Sequence, residues 1–509
     1  MGKETHYLAL DLGAESGRGM MGTLADGRLE LADIHRFQTG ASSLPTMYPH
    51  IASEKSLADT SYVWDFVRFW CEIKECILQA SKKAALTSVG VDTWGVDFAL
   101  LDKNGQLLST PFHYRDGRTD GMMEEAFKRI AREKMYEITG IQFMQLNTLF
   151  QLLSMTVNAS PILQLADRFL MVPDLIHYWL TGKAVAEFTD ATTTQILDAK
   201  KGNWSQEIIR AMGFPAHIFP EIVMPGTVLG PLRSSLSKEL DTDVMVVVPP
   251  THDTGSAVAA VPAENDDFIW ISSGTWSIVG MNVPEPVINT ASYQSNFTNE
   301  GGATGNYRFC KNVMGLWLVQ QCRRKWQKEG KDLSYTELTD LARNAPALVT
   351  LVDPDYSGFL KMGDMVEQIH GYLKATGQTI PQSDGEMVRA ILQGLALRYR
   401  FVIEQLEQVS GKQVSTIHIV GGGTQNTLLN QFTADATGKK VITGPIEATA
   451  TGNIVTQAIA MGDIADWRAG AAIIRNSFAI EEYLPGDQAP WNAAYRTFKE
   501  NAQKVTLAF

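Results

Sequence analysis

His252 and Asp253 directly follow the run Val244-Met245-Val246-Val247-Val248-Pro249-Pro250-Thr251. A short, β-branched, uncharged run is the pattern of a strand buried on both faces. Proline cannot extend a hydrogen-bond ladder, so the strand stops there. The acid and the imidazole therefore stand at a strand end, with a helix opening at Gly255-Ser256-Ala257. Such ends in open parallel sheets are where α/β proteins place ligands. Asp is equally suited to cap the helix, and on this stretch alone the two readings are level.

Three glycine-containing turns also follow strands, at Asp11–Gly17, Ser272–Thr275 and Gly421–Gly423. Glycine lets backbone N–H groups approach phosphate oxygens, and the hydroxyls of Ser16 and Thr275 add donors. Three such turns at buried strand ends point to a nucleotide. Other nucleotide and catalytic signatures are missing. No Gly-Lys is followed by Ser or Thr, so this is no P-loop chain, and no Gly-x-Gly-x-x-Gly opens a helix after the first strand. Zincin, α/β-hydrolase and protein-kinase motifs are also missing.

The elements that must hold these residues form two similar sets. Tyr7–Leu10 reads as a strand, Arg18–Leu24 as a second, and Asp26-Gly27 as a hairpin turn into Leu29–Phe37. Val63, Phe66, Val67, Trp70, Ile73 and Ile77 recur at helical spacing as a core face, on a helix that also carries Cys71 and Cys76. Val89-Gly90-Val91 is a buried strand, and Asn104-Gly105 marks another hairpin. The pattern then returns: strand Phe268–Ile271, turn Ser272–Thr275, strand Trp276–Met281, with Ser272-Ser273-Gly274 falling on Asp11-Leu12-Gly13. Ile417–Val420 is a late strand, followed by a helix from Asn426. This internal duplication predicts two related α/β domains, 1–245 and 246–509, with the boundary between about residues 235 and 255.

Composition agrees with a globular pair of domains. The chain has 509 residues, 45% hydrophobic and 20% charged, too many for one ordinary core. A net charge of -12 excludes nucleic acid as an expected partner. No apolar run reaches membrane-spanning length, and no signal-peptide stretch follows Met1–His6. Four cysteines without metal-ligand spacing predict a reducing, cytoplasmic setting.

Several segments together resemble the FGGY family of carbohydrate kinases. They are Asp11–Arg18, Asp92–Phe98, Tyr114–Thr119, His252–Thr254, Ser272–Trp276 and Gly421–Asn426. The likeness runs in order from about residue 7 to about residue 460. It implies two actin/hexokinase-like (RNase H-like) domains flanking a catalytic cleft, with sugar against the first and ATP, accompanied by Mg2+, against the second. Asp253 matches the catalytic base, and His252, Thr254, Gly95 and Asn312 match sugar contacts. At Gly95 a side chain would collide with the ketose. Ala14, Glu15, Ser16, Gly17, Arg18 and Thr275 match the phosphate loops. Gln320 matches a nucleotide-facing position, and Gly422 and Asn426 match the adenine edge. Asp11 matches a magnesium contact through water, although its counterpart in the repeat, Ser272, supplies no carboxylate. Glu15 departs from the small residue usual there and is expected to face solvent or Arg18.

Asn299–Gly302 and Lys311–Trp317 tilt the resemblance to family members acting on L-rhamnulose. The implied reaction is phosphorylation of O1 of a 6-deoxy-ketohexose by a monomer or homodimer, with L-fuculose or another ketose or polyol as the alternative substrate. An ATP-dependent chaperone or scaffold of the actin type is the alternative from another class. Each assignment has a structural alternative. Gly95 would serve a tight turn, Asn312 a cap, Trp94 and Trp276 the core, and Arg115 and Arg118 nearby acids.

Overall fold

A hairpin followed by a parallel strand occurs twice, each time within a larger sheet. The computed structural model describes residues 4–45, 60–265, 267–360 and 363–506. In the first sheet, strand Thr5–Leu12 pairs antiparallel with Ser16–Ala25, which pairs antiparallel with Arg28–Gln38. The turn between the last two is Asp26-Gly27, with φ of 48° and 72°. Positive φ at both central residues is the turn that matches strand twist. On its other side Thr5–Leu12 pairs parallel with Leu86–Thr93, which pairs parallel with Met245–Val247. Strand Val228–Pro231 closes this edge, antiparallel.

The second sheet repeats the order. Ile269–Ser273 pairs antiparallel with Trp276–Val283 and parallel with Thr416–Val420. Lys440–Thr443 follows in parallel, and Glu481–Tyr483 closes the edge antiparallel. Tyr307–Met314 lies beside Trp276–Val283, as Arg28–Gln38 lies beside Ser16–Ala25. The duplication legible at Asp11 and Ser272 is thus a duplication of strand order and sense.

Two compact units result. The first gathers the chain up to Pro262 with Asn282–Phe309 and Ala448–Ser477; the second gathers Ala263–Met281, Cys310–Glu447 and Phe478–Phe509. A cut between residues 245 and 246 passes through strand Met245–Val247, and the division falls instead after the helix that Asp253 begins. Helix Ala448–Ala460 joins the first unit because its polar side chains bond that unit's strands. Gln457 donates to Leu8 O at 3.0 Å and accepts from Ser88 Oγ at 2.7 Å. Gly452 lets this helix touch the one after Asp253, since a Cβ there would lie 1.8 Å from Ser256 O.

Helix Phe66–Lys83 starts at its Asp65 cap, whose side chain accepts from Arg68 N. It buries Phe66, Phe69, Ile73, Cys76, Ile77 and Ala80. Two residues expected on that face are elsewhere: Val63 ends the preceding strand, and Val67 is 76% exposed. The helix begins too late for Val63, and the Phe66–Phe69–Ile73 stripe turns Val67 outward. Cys71 is exposed on the same helix. No described helix is long and apolar enough to cross a membrane.

Candidate active site

Two neighbouring parallel strands of the first unit carry an acid one residue before their ends. Asp11 and Asp92 are register partners, and Thr93 bridges to His252, with Thr93 N donating to Thr251 O at 2.8 Å. Val244, Val246, Val247 and Val248 are buried, so the strand before His252 is a core strand. Asp253 is the first residue of helix Asp253–Ala259, two residues earlier than its sequence suggests, and no side chain caps that helix. Among the described residues the Asp253 carboxylate takes its hydrogen bonds from Thr254, Oδ1 accepting from Thr254 N and Thr254 Oγ1, with the His252 ring beside the same oxygen. It does not make the longer reach that defines a cap.

Burial raises the Asp253 carboxyl above its usual range; the charge of His252 opposes the shift, the charge of Asp11 adds to it, and the Thr254 bonds oppose it. Asp92 is raised further, first by burial and then by the charge of Asp11, against a hydrogen bond from Asn453. Asn453 Nδ2 donates to Asp92 Oδ2 at 2.6 Å, while Asp92 Oδ1 is buried without a hydrogen-bond partner. Asp11 accepts from Arg18 through Nε at 3.0 Å and Nη2 at 2.7 Å, both on Oδ2. Arg18 is thereby turned to Asp11, and Glu15 is exposed. The turn between them is closed by Gly13 N to Ser16 O at 2.9 Å and by Thr39 N to Glu15 O at 3.2 Å. Gly17 leaves room for the Phe37 ring, 2.5 Å from where its Cβ would be.

His252 is held on all sides. Its backbone N donates to Thr189 Oγ1 at 3.2 Å. Thr189 Oγ1 in turn donates to Glu187, which also accepts from Thr251 N and Thr251 Oγ1. Its ring meets Asp253, Glu300 and Arg308.

The turn after strand Leu86–Thr93 carries backbone strain. Val96, not Gly95, has positive φ, at 68°. A β-branched residue there is an outlier of the kind that clusters at functional sites. Three side chains hold it: Val96 N donates to Thr193 Oγ1 at 3.1 Å, and Val96 O accepts from Thr148 Oγ1 at 2.6 Å and Gln151 Nε2 at 3.3 Å. Asp97 accepts from Trp64 Nε1 at 2.6 Å, Trp94 Nε1 at 3.0 Å, Tyr114 N at 3.2 Å and Gln151 Nε2 at 2.8 Å. Burial pushes its carboxyl up to about 6 despite those bonds. Trp94 is a core residue stacked on Trp64 at 3.9 Å. A Cβ at Gly95 would meet Thr193 at 3.2 Å and Asp190 Oδ1 at 3.3 Å, so it would point into the protein. Arg118 donates to Gln151 Oε1 at 2.6 Å and lies 4.0 Å from the Phe112 ring, with the charge of Asp97 near it.

In the second unit the glycine turns meet one another. A Cβ at Gly423 would lie 2.0 Å from Ser273 Oγ and 2.9 Å from Ser273 O; one at Gly315 would lie 2.7 Å from Gly274 O. Thr275 O accepts from Gly315 N and Trp317 N, both at 3.2 Å. A Cβ at Gly422 meets nothing within 4 Å. Asn426 Oδ1 caps helix Thr427–Thr437 by accepting from Leu429 N at 3.0 Å. Asn312 lies on strand Tyr307–Met314, not at a helix cap. Gln320 is on helix Trp317–Lys328, and its Oε1 is buried without a hydrogen-bond partner among the described residues. Such an acceptor suits a ligand donor.

Asp253, His252, Thr254, Gly95, Asp11 and Ala14–Arg18 thus belong to the first unit. Thr275, Asn312, Gln320, Gly422 and Asn426 belong to the second. Asp92, Asp97, Glu300 and Arg308 received no role from sequence. The first three lie inside recognisable segments, but only packing reveals what they touch.

Two family models match the chain, the N-terminal domain of the FGGY family of carbohydrate kinases over residues 46–260 and its C-terminal domain over 269–461. The chain is 41% identical to the rhamnulokinase of Oceanobacillus iheyensis, over 94% of this chain and 97% of that one. It is 40% identical to the rhamnulokinase of Bacteroides thetaiotaomicron, over 97% and 99%. Among solved structures, gluconate kinase from Lactobacillus acidophilus matches with TM-score 0.78 at 17% identity, covering 99% and 98%. Plasmodium falciparum glycerol kinase with ADP matches with TM-score 0.77 at 15% identity, covering 98% of each. The units thus have the actin/hexokinase-like fold. With both family domains matched in order and relatives aligned over nearly the whole length, the chain belongs to the FGGY family of carbohydrate kinases.

Proposed function

We propose that the chain transfers the γ-phosphate of ATP to O1 of a 6-deoxy-ketohexose, L-rhamnulose, giving L-rhamnulose 1-phosphate. The observation that carries the substrate is the 41% and 40% identity over nearly the full length to relatives named rhamnulokinase. Asp253 is the base. Phosphoryl transfer asks for positioning and charge stabilisation more than for strong base chemistry, so a carboxylate held at a strand end suffices. His252, Thr254, Asn312 and the backbone at Gly95 contact the sugar. Ala14–Arg18, Thr275, Gln320, Gly422 and Asn426 contact ATP, with Gln320 Oε1 offering an unmet acceptor.

Mg2+ belongs to the same proposal. Among the described residues no group of three or more His, Cys, Asp or Glu could hold a metal alone. That fits an ion which keeps its waters and arrives on substrate phosphates. Asp11, whose Oδ1 is left by Arg18, would hold it through water. When bound it neutralises charge on the transferring phosphate. A reducing, cytoplasmic setting is supported by four free cysteines, three of them buried.

The test is a coupled ADP-release assay across L-rhamnulose, L-fuculose, L-ribulose, D-xylulose and glycerol. L-Rhamnulose should lead in kcat/KM by about tenfold or more, a factor worth roughly 1.4 kcal/mol. L-Fuculose in the lead would overturn the substrate, and ADP release indifferent to every ketose would overturn the kinase reading of the site.

A further inference from the structure

Glu300 and Arg308 stand on the two strands of one hairpin, Thr298–Gly301 and Tyr307–Met314, and reach the same ring nitrogen of His252. Arg308 Nη2 is 3.1 Å from His252 Nδ1 and 3.2 Å from Glu300 Oε2. Glu300 Oε2 is itself 3.3 Å from Nδ1. Arg308 is fully buried, and its Nε donates to Gly301 O at 2.8 Å, which fixes the guanidinium plane.

A guanidinium only donates, and a carboxylate only accepts. Neutral imidazole therefore accepts at Nδ1 from Arg308, whereas imidazolium donates its Nδ1 hydrogen to Glu300. Both states leave a hydrogen on Nε2, which faces Asp253 Oδ1 at 3.5 Å. Thr254 N and Thr254 Oγ1 donate to that same oxygen. Among the described residues, the hydrogen bonds and the ion pair of the Asp253 carboxylate thus fall on Oδ1.

We propose that Glu300 and Arg308 are positioning residues for phosphoryl transfer, holding His252 with Nε2–H turned to Asp253 Oδ1 in either charge state, so that Oδ2 meets the sugar hydroxyl. The step balances simply. The hydroxyl O–H bond breaks, its proton goes to Oδ2, and the oxygen forms a bond to the γ-phosphorus as the bond to ADP breaks. Burial would raise the Glu300 carboxyl, but the neighbouring His252 ring and the Arg308 charge hold it below the usual range. Among the described residues its Oε2 has no hydrogen-bond donor while Nδ1 is bonded to Arg308, so a carboxylate acceptor is present to receive the imidazolium. Asp11, Arg18, Asp92, Asp190 and Tyr114 also face Asp253 or share its field, and all stay unchanged in the variants below.

This rests on Asp253 as the base, and the experiment separates the two ideas. Glu300→Gln, Arg308→Lys, His252→Asn, Asp253→Asn and the double variant His252→Asn/Glu300→Gln are compared by kcat, both KM values, melting temperature and the pH profile of kcat/KM for the ketose. Glu300→Gln keeps shape and removes the imidazolium's partner. Its acid limb should move up by about half a unit or more and kcat should fall about fivefold, with the ATP KM within about twofold. Arg308→Lys keeps charge but loses the fork, so kcat should fall about tenfold without rescue. In the His252→Asn background Glu300→Gln should add nothing to either change. A Glu300→Gln limb and kcat equal to wild type, or a full additive effect without His252, overturns the positioning role. Asp253→Asn retaining more than about a tenth of turnover overturns the base itself. Should Arg308→Lys fail to fold, the isosteric Glu300→Gln decides the matter.

Discussion

Gly95→Ala asks whether the strained turn after strand Leu86–Thr93 belongs to the sugar site. The added methyl would stand 3.2 Å from Thr193 Cγ2 and Oγ1 and 3.3 Å from Asp190 Oδ1, so one of them must give by a few tenths of an ångström. Thr193 is the weaker point, because its hydroxyl receives Val96 N at 3.1 Å while donating to Asp190 O at 2.8 Å. Displacing it forfeits a hydrogen bond of about 1 kcal/mol. Overpacking adds about 1–3 kcal/mol. Letting Val96 leave its φ of 68° returns about 1–2 kcal/mol. The net cost therefore lies between about 0 and 3 kcal/mol and centres near 1.5, which lowers the melting point by about 2 °C in a unit of this length. The turn itself also moves. If its backbone touches the ketose, the ketose KM should rise about fivefold or more while the ATP KM stays within about twofold. Steady-state kinetics with each substrate varied, alongside a melting curve, reads all three quantities. A melting loss with an unaltered ketose KM would remove Gly95 from the sugar site. Normal kinetics with an unaltered melting point would equally remove it.

Asp253→Asn should lower turnover about a hundred- to ten-thousand-fold with nucleotide affinity nearly intact, measured by single-turnover kinetics and calorimetry with a non-hydrolysable ATP analogue. Asp97 should give stability a negative pH slope. Its carboxyl rises from 3.8 to about 6 on folding, so its contribution is complete below pH 4 and is lost as pH rises through 6, amounting to about 3 kcal/mol. Asp97→Asn should abolish that slope, and a wild-type-minus-variant melting difference constant from pH 4 to 7 would contradict it. Gly423→Ala would drive a methyl to 2.9 Å from Ser273 O and 2.6 Å from Ser273 Cβ. It should weaken ATP-analogue binding about tenfold or more and leave the ketose KM alone, whereas unchanged analogue binding would show that the turn does not serve the nucleotide.

Local chemistry carried a good deal of this protein in its sequence. Alternation and β-branching set the strands, Asp26-Gly27 and the valine–proline run set their ends, and the Asp11/Ser272 correspondence announced a repeated strand order. These signals are short-range, so they survive without any knowledge of partners. The order and spacing of the glycine turns with His252-Asp253-Thr254 likewise marked the family. What only tertiary structure decided is which groups share a surface. Helix Ala448–Ala460 returns from far along the chain to the first unit because Asn453 and Gln457 bond Asp92 and Leu8, a pairing no window of sequence contains. Val96 takes a conformation its side chain disfavours because Thr148, Gln151 and Thr193 hold both of its peptide groups. The direction of a missing Cβ at Gly95, and the hydrogen that His252 turns to Asp253, depend on Thr193, Asp190, Glu300 and Arg308. Those contacts exist only once distant strands are paired and water is excluded, so the fold, not the local chain, orients the chemistry.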